Sequence, residues 1–258
     1  MCDQSHEQLG DDESELRNRS DSEAPQIDIW SVLPALQDLR EWLRLHGMPN
    51  WPRGIDFKRA CKIVLDDGLP LVWVPRAELV REVVDAQDRE ARVAVLRRHV
   101  SELMEDCRSV LQKKPLPTLA GQQTLAKRCV EVLEQGHHEA AQALAAVVID
   151  TAVFRKLPGS SYAEVRKAVH FDPDRVPYEY FRVRAALAPI ERFFIKWYPD
   201  SGLPPPDALS RHVSIHHADP GHYTPENSLI AVLIACSVLP SLEEILDNSQ
   251  PDHETGGG

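Results

Sequence analysis

Residues 140–149, Ala-Ala-Gln-Ala-Leu-Ala-Ala-Val-Val-Ile, are apolar at nine of ten positions. A helix through them has no polar face to turn to water, so the reading places it at the centre of a helical bundle. The flanking sequence supplies the other helices. Leu79, Val83, Val93, Leu96, Val100, Leu103 and Leu111 recur at helical spacing over 76–112, with a break expected near 86–88. Leu119 to Gln135 and His137 to Leu157 read as two helices parted by Gly136, and Val176 to Tyr198 as one more, with Pro177 in its first turn and a kink at Pro189. The expected fold class is all-α, a helical bundle with a short N-terminal lead-in region and disordered acidic tails.

Charge is distributed unevenly. Of the net -11, residues 1–28 carry -7, from nine acids and two bases, and residues 249–258 carry -2, which leaves the body at -2. Both ends are too polar to bury surface that would offset the cost of ordering, so 1–28 and 249–258 are expected to be disordered. The nearly neutral body leaves RNA open as a partner. The longest apolar run, Leu229 to Leu239, is short for a membrane span, and the N-terminus has no basic and apolar leader, so the expected location is cytoplasmic. Five cysteines, at 2, 61, 107, 129 and 236, form no CxxC pair, and those at 107, 129 and 236 fall in apolar helical segments, as small buried hydrophobes do.

Residues 29–75 read as a small helical lead-in or docking region. Ser31 caps a helix to about His46, Phe57 to Asp66 forms a short second one, Leu69 to Val74 is an apolar run that could be extended, and Pro75 suits the first turn of the next helix. The bundle itself is assigned to 76–248.

The chemistry is concentrated in 210–229, where Arg211, His212, His216, His217 and His222 lie between two helical segments. A guanidinium neutralises a phosphate and an imidazole moves a proton near neutral pH, which together suit phosphodiester cleavage. Asp207 can cap the first helix, Asp219-Pro220-Gly221 forces a turn, and Thr224 with Pro225 restarts a helix that meets Pro240 as a break or kink. On an ideal helix Arg211 and His216 point about 140° apart. They converge only if the helix frays before Asp219 or if each meets its counterpart across a two-fold axis. His212 and His216 share a face, and with His217, Asp219 and His222 a zinc site can be drawn, although no Cys pair or HExxH supports one.

Arg-x4-His, followed by a turn, Tyr-Thr-x-Glu-Asn and an apolar helix, resembles the HEPN superfamily. These are helical-bundle proteins, many of them metal-independent endoribonucleases of bacterial defence and toxin–antitoxin systems. The resemblance covers 205–246 and extends back to about residue 90 on helix count. It implies His216 as the proton-transfer group for attack of a ribose 2′-hydroxyl, Arg211 as the stabiliser of the phosphoryl oxygens and His212 as their support. His217, His222 and Asn227 would contact substrate. It further implies RNA as substrate, no cofactor or metal, a homodimer and a possible regulatory or antitoxin protein. His217 stands where the family often carries glycine. The alternatives are a non-catalytic helical adaptor and a metal-binding protein that uses His212 to His222.

Elsewhere, His137 and His138 start a helix. Tyr178, Tyr180, Phe181, Phe193, Phe194, Trp197 and Tyr198 gather aromatics for core or dimer packing ahead of base stacking, and Arg182, Arg184 and Arg192 are either phosphate contacts or a solvated face. If the acidic tail screens the histidine cluster, deleting residues 1–28 raises RNA affinity at low salt, and unchanged affinity in a filter-binding titration counts against it.

Overall fold

Asp56 accepts a hydrogen bond from the Arg59 amide at 3.0 Å and so starts the first helix of the computed structural model, which describes residues 47–159 and 161–247. Helix α1 (Phe57–Lys62) runs on through one π turn, Ile63–Asp67, and stops at Gly68. Gly68 has φ 66°, and a Cβ there would meet the Arg192 side chain at 3.1 Å, so both backbone conformation and space favour glycine.

Leu69 to Val74 forms no strand. It is a buried loop, and side chains take the place of a sheet ladder. Asn50 donates to the carbonyls of Leu71 (3.0 Å) and Pro75 (2.6 Å) and accepts from the Trp73 amide (3.1 Å). Trp51 donates to Leu71 O and Ser237 to Val72 O. These bonds satisfy a buried backbone that water cannot reach. They also hold Trp73 at φ 69°, in the left-handed region. Pro75 lies before the N-cap Arg76 rather than in the first turn of the next helix.

Helices α2 (Ala77–Asp85), α3 (Arg89–Arg98) and α4 (Val100–Val110) follow. The break expected at 86–88 is present, with Asp88 capping α3 through a 2.8 Å bond from the Ala91 amide, and a second break falls at His99. Then come α5 (Ala120–Glu134) and α6 (His138–Lys156), separated by Gly136 at φ 81°. Helix α7 (Tyr162–Val169) was not anticipated. Ser161 and Glu164 form a reciprocal capping box at its start.

The single helix expected over 176–198 is instead α8 (Tyr178–Leu187), which Pro177 precedes rather than entering its first turn, and a short α9 (Pro189–Phe193). Pro189 has no N–H to continue the ladder, and Ile195 to Tyr198 leave the helix altogether. Helix α10 (Arg211–His216) and α11 (Pro225–Asp247) complete the described chain. Thr224 caps α11 as expected, its hydroxyl accepting from the Asn227 amide at 3.1 Å. The helix passes through Pro240 without ending there, and the Ser241 hydroxyl donates to Ser237 O at 3.0 Å beside it.

The all-α expectation holds: among the described residues the regular elements are all helical. Helix α11 is buried more completely than α6, the helix expected at the centre. Every residue from Asn227 to Leu242 is buried, and α11 packs on α6, α8, α5, α4 and α3. Helix α6 is its principal neighbour, buried along Ala141, Ala145, Ile149 and Ala152, while Val147 is 45% exposed on the opposite side. Small residues along the buried stripe let the two helices approach closely. Helix α11 is long and apolar enough to cross a bilayer, but 78% of its most apolar window is buried in the bundle, as in the core helix of a globular fold.

Met48, Trp51, Ile55, Phe57, Leu71 and Val74 belong to the same core, so the described part of the lead-in region, residues 47–75, packs with the bundle. Cys107, Cys129 and Cys236 are buried free thiols, as expected, and Cys61 joins them. Burial pushes the Cys129 thiol up to about 12. The tails expected at 1–28 and 249–258 and the helix expected over 31–46 lie outside the described residues.

Replacing Asn50 by Ala strands the Trp73 amide and the Pro75 carbonyl, while Leu71 O keeps its bond from Trp51. It should lower stability by about 2–4 kcal/mol in urea denaturation, whereas a change below about 0.5 kcal/mol would show that the loop finds other partners.

Candidate functional site

Ser210, rather than Asp207, caps α10, its hydroxyl accepting from the Val213 amide. The helix is therefore only six residues long, and Ala218 ends it in the left-handed region at φ 43°. His217 has φ −118°, so a side chain at this position carries no left-handed strain; the residue that does is Ala218.

Arg211, His212 and His216 line one cleft of about 260 Å³, together with Tyr162, Phe194, Ile195, Lys196 and Tyr198. The 140° divergence expected of Arg211 and His216 does not separate them, because the long arginine side chain is drawn along the cleft wall. Its Nε donates to Asp150 Oδ1 at 2.6 Å, its Nη2 donates to the Tyr162 hydroxyl, and its guanidinium carbon lies 3.9 Å from the centre of the Tyr162 ring. Tyr162 donates in turn to Asp150 Oδ2 at 3.3 Å. The ion pair is largely sheltered, with Arg211 13% and Asp150 19% exposed. Nη1 has no acceptor among the described residues.

His212 occupies the middle of the cluster. Its ring centre is 5.3 Å from that of His216, 5.2 Å from His217 and 4.7 Å from Tyr198. Its Nδ1 accepts from the Trp197 amide at 3.4 Å, which leaves the proton of the neutral ring on Nε2. Burial, followed by the nearby positive charge of His216, His217, Arg211 and Lys196, lowers its pKa from the ordinary value. His216 is exposed at the mouth.

The three residues expected to contact substrate lie elsewhere. His217 packs edge-on against Trp197 at 5.3 Å, outside the cleft lining, and its Nε2 is buried without a hydrogen-bond partner. His222 is 3% exposed and bridges the backbone: Nδ1 bonds Pro206 O at 3.1 Å, and Nε2 accepts from the Ser210 amide at 3.2 Å. Asn227, 2% exposed, donates to the carbonyls of Asp207 and His222, both at 3.0 Å. Gln142 of α6 completes the clasp, donating to Ser214 Oγ (3.0 Å) and His222 O (3.2 Å), and Tyr223 donates to Ser214 O at 2.5 Å. His222 and Asn227 thus hold α10 in place and do not face a ligand.

With both ring nitrogens of His222 engaged, the metal set drawn from His212 to His222 does not assemble. Among the described residues no three His, Cys, Asp or Glu side chains are grouped to hold a metal ion. Of the remaining candidates, His138 bonds Ser228 Oγ at 3.1 Å. Arg182 pairs with Glu244, while Arg184 and Arg192 donate to the carbonyls of Ala168 and Asp66. These three arginines brace the bundle. Phe181, Phe193 and Phe194 are core, whereas Tyr178, Tyr180 and Tyr198 are more than half exposed.

Sequence reading missed Asp150, Tyr162 and Lys196. Asp150 had a visible signal, an acid directly after the apolar run 140–149, and Tyr162 opens the helix marked by Ser161-x-x-Glu164. Lys196 had none.

Protonating His222 breaks its bond from Ser210, and burial already lowers its pKa below 6.5. Its neutral form is favoured in the folded state, so this stabilisation is full above pH 6.5 and is lost as pH falls through the lower folded value. An NMR titration should place the His222 midpoint below 6.5; a midpoint at or above 6.5 contradicts the clasp. Asp150→Ala should lower stability by about 2 kcal/mol in chemical denaturation. Comparison of the chain with known protein families, with curated proteins and with solved structures finds no match.

Proposed function

We propose that the protein is a metal-independent endoribonuclease of HEPN type, acting at the cleft between α10 and the segment 194–198. The observation that carries this reading is that Arg211, His212 and His216 line one open cleft with Lys196. Two cationic side chains and two imidazoles form a set able to cleave a phosphodiester without a further group. Lys196 and the unengaged Nη1 of Arg211 neutralise the phosphoryl oxygens. His216 takes the proton of the ribose 2′-hydroxyl as that oxygen attacks phosphorus. Having taken that proton, His216 gives it to the departing 5′-oxygen, while the Nε2–H of His212 donates to a phosphoryl oxygen. The products are a 2′,3′-cyclic phosphate and a 5′-hydroxyl. All these groups come from one chain, so the reading does not require residues from a second protomer.

A non-catalytic adaptor is the second reading, favoured by one observation: Asp150 already neutralises Arg211 and Tyr162 covers it. In that case the arginine serves packing alone.

Incubating total RNA in EDTA with wild type, His216→Ala and Arg211→Ala, after matching helical content and oligomeric state, separates the two. The nuclease reading expects cleavage by wild type and a loss of about 100-fold or more in each variant. No cleavage by wild type favours the adaptor.

A further inference from the structure

A second, larger cleft of about 410 Å³ lies between α7 and the start of α8. Its lining includes Lys167, His170, Asp172, Arg175, Tyr180 and Arg184. Cations outnumber the single carboxylate, and their neutralisation is weak. Lys167 has no carboxylate partner among the described residues, and Arg175 meets Asp172 at 3.4 Å while 88% exposed. Arg184 is spent on a carbonyl, and His170 lies 3.2 Å from Glu191 outside the lining. Tyr180 is 56% exposed on the rim, an aromatic surface that the core leaves unused.

The two clefts are linked through one helix. Tyr162, the first residue of α7, lines the histidine cleft, and Lys167 and Ala168 near its other end line this one. Along the helix axis the two sets are about 8 Å apart, within the reach of adjacent nucleotides. Positive charge with an exposed aromatic ring is the pairing that holds single strands, with phosphates on the cations and a base stacked on the ring.

We propose that this cleft binds the flanking nucleotides of a single-stranded RNA whose scissile phosphate occupies the histidine cleft. The assignment rests on the ribonuclease reading for the nature of the strand. It makes Lys167 and Arg175 phosphate contacts and Tyr180 a stacking platform.

The test measures fluorescence anisotropy of a labelled 2′-O-methyl oligoribonucleotide, which cannot be cut by 2′-hydroxyl attack, on the full chain. Lys167→Glu with Arg175→Glu should weaken binding at least tenfold and reduce the slope of log affinity against log salt by about 0.7 for each phosphate that is no longer neutralised. Tyr180→Ala should weaken it about fivefold or more, with Tyr180→Phe retaining affinity. Lys127→Glu, an exposed charge on α5, should leave binding unchanged. Wild-type affinity in both the charge-reversal and Tyr180→Ala variants overturns the proposal. So does equal displacement of the oligonucleotide by polyglutamate, which would make the cleft a general polyanion or acidic-protein site. Cleavage in EDTA with pocket-independent binding leaves the ribonuclease and removes this subsite. Pocket-dependent binding without cleavage removes the ribonuclease and keeps strand binding here.

Discussion

A helix with no solvent face sets the terms for this fold. Residues Asn227 to Leu242 are buried without interruption, so α11 must be clothed on every side before any part of it is stable. Burying a leucine, isoleucine or valine side chain is worth about 1.5–3 kcal/mol. The run holds Leu229, Ile230, Val232, Leu233, Ile234, Val238, Leu239 and Leu242, all of them buried. The loop 69–74 serves the same requirement. It covers α11 where no helix does, and Ser237 and Trp73–Ser241 tie the two together.

That constraint also fixes the histidine cleft. The first turn of α11 provides Asn227, which with His222 and Gln142 grips the backbone on both sides of α10. A six-residue helix has too few internal hydrogen bonds to persist by itself. Its position is therefore inherited from buried polar contacts with α6 and α11. Arg211 is likewise held by Asp150 of α6 and Tyr162 of α7, so three separate elements must be in place before the cleft has its shape.

Helix type was legible wherever apolar residues recurred over several turns, and breaks were legible where Gly136 or the Ala86 to Asp88 stretch interrupted them. What escaped was decided by contacts distant in sequence. His222 and Asn227 carry donors that suit a substrate as well as a backbone, and bonds to Pro206, Ser210 and Asp207 settle the matter. Asp150 and Arg211 are 61 residues apart, beyond any local pattern. Overextending a helix to Tyr198 had a local cause: aromatic residues continue the apolar spacing past Pro189, though the backbone does not follow. Ser161 and Glu164 were the opposite case, a written start signal obscured by the shortness of the helix it opens. Helix α6 was expected at the centre and packs there beside α11, although Val147 of its apolar run faces outward.

Asp150 follows directly on Ile149, which is 1% exposed in the core. A turn of α6 by one residue is about 100° about its axis. Such a slip would swing the carboxylate away from Arg211 and release a guanidinium into the cleft. The electrostatics of the cleft are thereby geared to the rotational setting of a core helix, and the chemistry at the surface registers how the interior is packed.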